Sequence, residues 1–125
     1  MKKYLIGAML LVGASSAMAA TTALCDGGTG GKKTVAGGSG VVVTSPTFFR
    51  NGFDFQCSNN VFLAYEEANA TLLTVGSASK KGNQYFGGSS NGGAISALGK
   101  CAADPCTATD ATNGSDAAKT AASGT

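Results

Sequence analysis

Histidine is missing from this sequence, and that one absence removes several classes of chemistry. Ser-His-Asp and Cys-His arrangements cannot be assembled without it. A zinc site would have to rest on closely spaced cysteine pairs, whereas Cys25 and Cys57 stand far apart. Charge is also scarce: nine basic and seven acidic residues leave no cluster of Lys and Arg that would favour phosphate backbones or anionic lipid surfaces. Nucleic acid is therefore not an expected partner. No fixed-period repeat occurs. The one sustained apolar run, Leu5 to Val12, is well short of the roughly 20 residues that a membrane-spanning helix needs.

What that short run does fit is a secretion signal. In "MKKYLIGAMLLVGASSAMAA", Lys2 and Lys3 form a positive start, Leu5 to Val12 an apolar middle, and Ala17-Met18-Ala19 a small-x-small cleavage pattern. Residues 1–19 are expected to be removed before Ala20, with no stable membrane anchor afterwards. A lipid-modified Cys25 is not expected, because Thr22-Ala23-Leu24 is the wrong context. Loss of Lys2 and Lys3 leaves seven residues of each sign, a formally neutral mature chain. The short lysine-led signal points to a bacterial periplasm or the exterior.

Four cysteines remain, and an even count in a small exported chain is a disulfide pattern. Cys25 with Cys57 and Cys101 with Cys106 is the favoured pairing, because "CAADPC" is a tight turn restricted by Pro105. On a chain-entropy argument these loops contribute about 3.7 and about 2 kcal/mol respectively. Metal and redox roles are weaker readings, since Cys101 and Cys106 are separated by four residues rather than two. No metal, cofactor or catalytic residue is assigned.

The interval 20–106 is sized for one domain. Gly27 to Gly40 reads as a loop or irregular edge, and "GVVVTS" as a short strand ended by Pro46. In "TFFRNGFDFQC", Asn51-Gly52 predicts a two-residue hairpin turn that pairs Phe48 with Phe55 and lays Arg50 near Phe53. "NVFLAYEE" is taken as a strand, with a helix from Asn60 to about Ala70, capped by Ser58, as the alternative. "ATLLTVGSAS", "QYFGGSS" and "AISAL" complete a set of strands separated by "KKGN" and "NGG" turns. The fold expected is mainly β: a small antiparallel, disulfide-stabilised sandwich or barrel. Residues 107–125 have no aliphatic larger than alanine. They are expected to form a flexible, low-complexity tail, with a marginal helix near Ser115 to Ala122 as the alternative.

"CDGGTGGKKT", Cys25 to Thr34, superficially suggests a phosphate-binding loop. Neither register of Gly-x-x-x-x-Gly-Lys-Ser/Thr fits: one puts Lys32 at the second glycine, the other Asp26 at the first. Ser77 and Lys80 have the S-x-x-K spacing, but the surroundings read as strand and turn. Asp54 with Glu66 is the available carboxylate pair for hydrolysis. Asn69-Ala70-Thr71 and Asn113-Gly114-Ser115 match the glycan-acceptor pattern incidentally. Two functional classes follow. The first is an exported, non-enzymatic binding or structural module whose partner is another exported protein, a glycan or itself, with Tyr85 and Phe86 as contact aromatics and strand addition as one mode. The second is a small secreted hydrolase, or an inhibitor acting through the Cys101 to Cys106 loop.

Overall fold

The computed structural model describes residues 21–35, 48–49, 52–92 and 94–124. Seven strands and one helix follow in chain order: β1 Thr22–Asp26, β2 Gly31–Val35, β3 Phe53–Cys57, β4 Val61–Asn69, β5 Leu72–Ser79, β6 Gln84–Ser89, β7 Ser96–Lys100 and α1 Ala108–Ser123. Strands β1-β4-β5-β6-β7 form an antiparallel sheet, and β2 pairs antiparallel with β3 in a separate hairpin. The chain is thus a mainly β, antiparallel fold, joined by the two expected disulfides, Cys25–Cys57 and Cys101–Cys106. It is not a closed barrel, because β1 and β7 lie at opposite edges of the sheet.

The central strands follow the alternation expected of them. On β4, Phe62, Ala64 and Glu66 are buried while Val61, Leu63 and Tyr65 are half-buried, so "NVFLAYEE" is strand and not helix. On β5, Thr74, Gly76 and Ala78 continue the first face, and Leu73 and Val75 the second. Both faces of one sheet therefore have apolar character and both need a cover.

The first face is covered by α1, which corrects the expectation of a flexible tail beyond Thr107. The segment cannot bury large side chains. Instead it brings backbone against backbone: Ala111, Gly114, Ser115 and Ala118 are buried on the helix. A methyl group built on Gly76 or Gly87 of the sheet would collide with the α1 main chain. Glycine in a strand interior here serves close approach of a second backbone. Nor does the helix begin at Ser115, the start of the marginal alternative. Ser115 lies in mid-helix, its hydroxyl 2.8 Å from that of Thr74 in a buried hydrogen bond. The cap is Thr107, in a capping box with Asp110. Asp110 Oδ2 accepts from the Thr107 N–H at 2.7 Å, and Oδ1 accepts from the Ala102 N–H at 3.0 Å. The carboxylate thereby joins the disulfide loop to the helix start.

Two further expectations change. Gly31–Val35 is not loop but strand β2. Its partner is β3, in the register Lys33 opposite Phe55 and Val35 opposite Phe53. The predicted pairing of Phe48 with Phe55 is not formed, because Phe48 lies in a bend and β3 pairs with β2 in a two-stranded sheet. The Asn51-Gly52 turn, Arg50, the "GVVVTS" strand and residues 1–19 lie wholly or partly outside the described residues.

Candidate functional site: an apolar cleft

The hairpin β2–β3 faces the side of the sheet that α1 leaves uncovered. Leu24, Leu63, Tyr65, Leu73 and Val75 of the sheet, together with Val35, Phe53 and Phe55 of the hairpin and Phe49, line a cleft of about 330 Å³. A volume of this size lies at the lower end of the range for small-molecule sites. The Cys25–Cys57 bridge ties the hairpin to β1 beside Leu24.

One end of the cleft is aromatic. The Phe49 ring lies edge-on to Phe53 at 5.0 Å, to Tyr65 at 5.7 Å and to Phe48 at 5.6 Å between centroids. Such edge-to-face contacts add to the burial term and favour a defined arrangement of the rings. Burial, and then the negative charge of Glu67, push the Tyr65 phenol above its usual range, so it stays neutral at physiological pH. Glu67 itself accepts the Phe48 N–H at 2.5 Å.

The hairpin has two unlike faces. Its outer side places Lys32 and Thr34 against Gln56 and Asp54. There Lys32 pairs with Asp54 at 2.7 Å and the Thr34 hydroxyl donates to the same carboxylate at 2.5 Å. Lys32 first and Thr34 second hold the Asp54 carboxyl below its ordinary range. Its inner side carries Gly31, Lys33 and Val35 opposite Cys57, Phe55 and Phe53. Lys33 is half-buried, opposite Phe55 and two residues before Val35, both of which line the cleft.

The candidate catalytic groups are not brought together. Asp54 is on the exposed face of the hairpin, whereas Glu66 is 1% exposed beneath α1, with Lys119 Nζ 2.6 Å from its Oε1. The sheet separates them. Ser77 is on β5 and Lys80 in the turn that follows, not one helical turn apart. Cys25 to Thr34 is strand, bend and strand, with Gly27 at φ 69° against the Phe62 ring. A nucleotide loop would instead join a strand to a helix. Donor atoms of Cys101, Cys106 and Asp110 lie within 4.8 Å of one another, but the sulfurs are bonded to each other and the carboxylate holds backbone N–H groups.

Of the two aromatics singled out from sequence, Phe86 is 40% exposed and Tyr85 packs with the core on the helix side. Asn69 accepts from the Thr71 N–H and hydroxyl in the β4–β5 turn. Asn113 is exposed, but Ser115 of its acceptor pattern is buried. The cleft residues were not identified as a site from sequence. The available signal was that the odd and even positions of β4 and β5 are both largely apolar. Among the described residues no helix is long and apolar enough to cross a membrane. Comparison with protein-family models, with curated proteins and with solved structures finds no match to this chain.

Proposed function

We propose that this protein is an exported, non-enzymatic binding module that holds an apolar guest between its β2–β3 hairpin and the open face of its sheet. The observation that carries this reading is the cleft of about 330 Å³, lined by aliphatic and aromatic side chains alone. Apolar surface left open at that scale favours a guest that removes it from water, at roughly 25 cal/mol per Å². Dispersal of Asp54, Glu66, Ser77 and Lys80 over separate faces supports binding over hydrolysis. Export is supported by the signal-like N-terminus and the two disulfides. Strand addition is the weaker mode. In the five-stranded sheet both edge pairings contain a register shift, between Ala23 and Cys25 and between Tyr85 and Phe86, and its edge strands end in Asp26 and Lys100. Bulges and charges of this kind discourage edge pairing.

The test is uptake of a neutral, environment-sensitive naphthylamine dye by the mature protein. Val75→Trp, which fills the cleft, is expected to abolish the fluorescence gain, and Asp54→Asn on the outer face to leave it unchanged, with melting curves confirming that both variants fold. Dye uptake that ignores Val75→Trp would overturn the reading. Mass determination of the mature N-terminus in the native host tests export separately, with Ala20 expected as the first residue.

A further inference from the structure

We propose that the guest of the cleft is a single-chain amphiphile with an anionic head, and that Lys33 is the residue that recognises that head; this rests on the cleft being a binding site. The argument begins with register. Lys33 sits on the inner face of the hairpin, directly opposite Phe55 and two residues before Val35, both of which line the cleft. An alternating strand sends Lys32 and Lys33 to opposite faces. The two lysines have different fates. Lys32 is engaged by Asp54 at 2.7 Å, whereas Lys33 has no side-chain hydrogen bond or ion pair among the described residues.

The carboxylates on this side of the sheet form no ion pair with Lys33 among the described residues. Asp26 senses its charge but accepts the Gly28 N–H at 3.0 Å and forms no ion pair with it. Glu67 is held by the Phe48 N–H at the aromatic end. A half-buried lysine lays its methylene stem along apolar surface and keeps the ammonium in water. On this face that geometry sets a cation at the rim of an apolar cavity, matching a hydrocarbon tail that ends in a carboxylate. The cavity, near the lower limit for small-molecule sites, suits one chain and not the two tails of a bilayer phospholipid.

The experiment titrates the mature, disulfide-bonded protein with decanoate, decanol and decyltrimethylammonium below their aggregation concentrations, by calorimetry and by displacement of the naphthylamine dye. Wild type is expected to prefer decanoate to decanol by about tenfold, the size of one half-exposed charge-assisted contact. Lys33→Gln is expected to erase that preference while retaining decanol affinity, Lys33→Arg to keep it, and Lys33→Glu to shift it toward the ammonium. Lys32→Gln is expected to change nothing. Equal affinity of wild type for decanoate and decanol, or a preference that survives Lys33→Gln, overturns the role of Lys33 and leaves the cleft standing. Failure of all three ligands and the dye to bind removes the cleft reading itself, and this inference with it.

Discussion

Gly76 of β5 and Gly114 of α1 meet backbone to backbone. A methyl group built on Gly114 would stand 3.2 Å from the Gly76 Cα, and one on Gly76 would stand 2.8 Å from the Gly114 carbonyl carbon. Helix and sheet are thus closer than any pair of larger residues would permit, and the stability of α1 depends on that closeness.

Gly76→Ala is accordingly expected to destabilise by about 1–3 kcal/mol, the usual cost of forcing volume into a packed interior. Its methyl would meet the main chain of Ala111 and Ser115, which cannot rotate away. Gly28→Ala, whose nearest neighbour would be an Asp26 carboxylate oxygen at 3.4 Å, is expected to be tolerated. Thermal melts of the two variants side by side provide the check, since about 1 kcal/mol shifts the midpoint by about 4–8 °C in a chain of this size.

The Glu66–Lys119 pair makes a second case. Lys119→Met leaves the buried Glu66 carboxylate without its cation, an expected loss of about 3 kcal/mol. This is the lower end for breaking a buried pair, because the Lys119 side chain keeps 32% exposure to water. Replacing both, with Glu66→Leu and Lys119→Met, is expected to restore much of the loss by removing the buried charge. A double-mutant cycle in urea measures the coupling, and additive losses would show that the pair is energetically idle.

Acid stability should carry the mark of Asp110. The Thr107 N–H, then the Ala102 N–H and the Thr107 hydroxyl, hold its carboxyl below the ordinary value of 3.8 against the opposing effect of burial. A lowered carboxyl contributes stability that is fully present above the unfolded-state value and is lost as pH falls through the folded one. Unfolding free energy is therefore expected to decline below about pH 4 in wild type. Asp110→Asn should be less stable at neutral pH, with a shallower acid limb. Parallel acid limbs in the two proteins would rule out this contribution.

The disulfides are expected to have separable effects. Replacing Cys25 and Cys57 by serine removes the larger loop constraint, about 3.7 kcal/mol against about 2 kcal/mol for Cys101 and Cys106. It should also weaken dye uptake, since that bridge ties the hairpin to β1 at the cleft. Replacing Cys101 and Cys106 should spare the cleft and instead speed amide exchange in the first turn of α1, where Asp110 and the loop meet. Hydrogen exchange of both variants separates the two effects.

Much of the sheet was legible in local order. Phe62, Ala64 and Glu66 alternate with Leu63 and Tyr65, and turn residues separate the strands, so β4 to β7 follow from period and punctuation. The capping-box spacing Thr107-Ala108-Thr109-Asp110 is present in the sequence but went unread, and the expectation of a tail weighed only the lack of large apolar side chains. That weighing failed for a physical reason. Burial was measured by side-chain size, whereas α1 gains its contacts by bringing small residues to main-chain distance, which depends on the facing Gly76 and Gly87.

Composition, spacing and alternation by themselves determined a mainly β chain and the absence of histidine-based catalytic arrangements, and favoured the observed cysteine pairing among three possible ones. Those properties are written in neighbours along the chain. Tertiary structure alone decided that β3 pairs with β2, that the last segment is a docked helix, and that Lys33 stands on the face of Val35 and Phe55. Each of these depends on which surface another segment covers, and a one-residue change of register would have sent Lys33 to the opposite side.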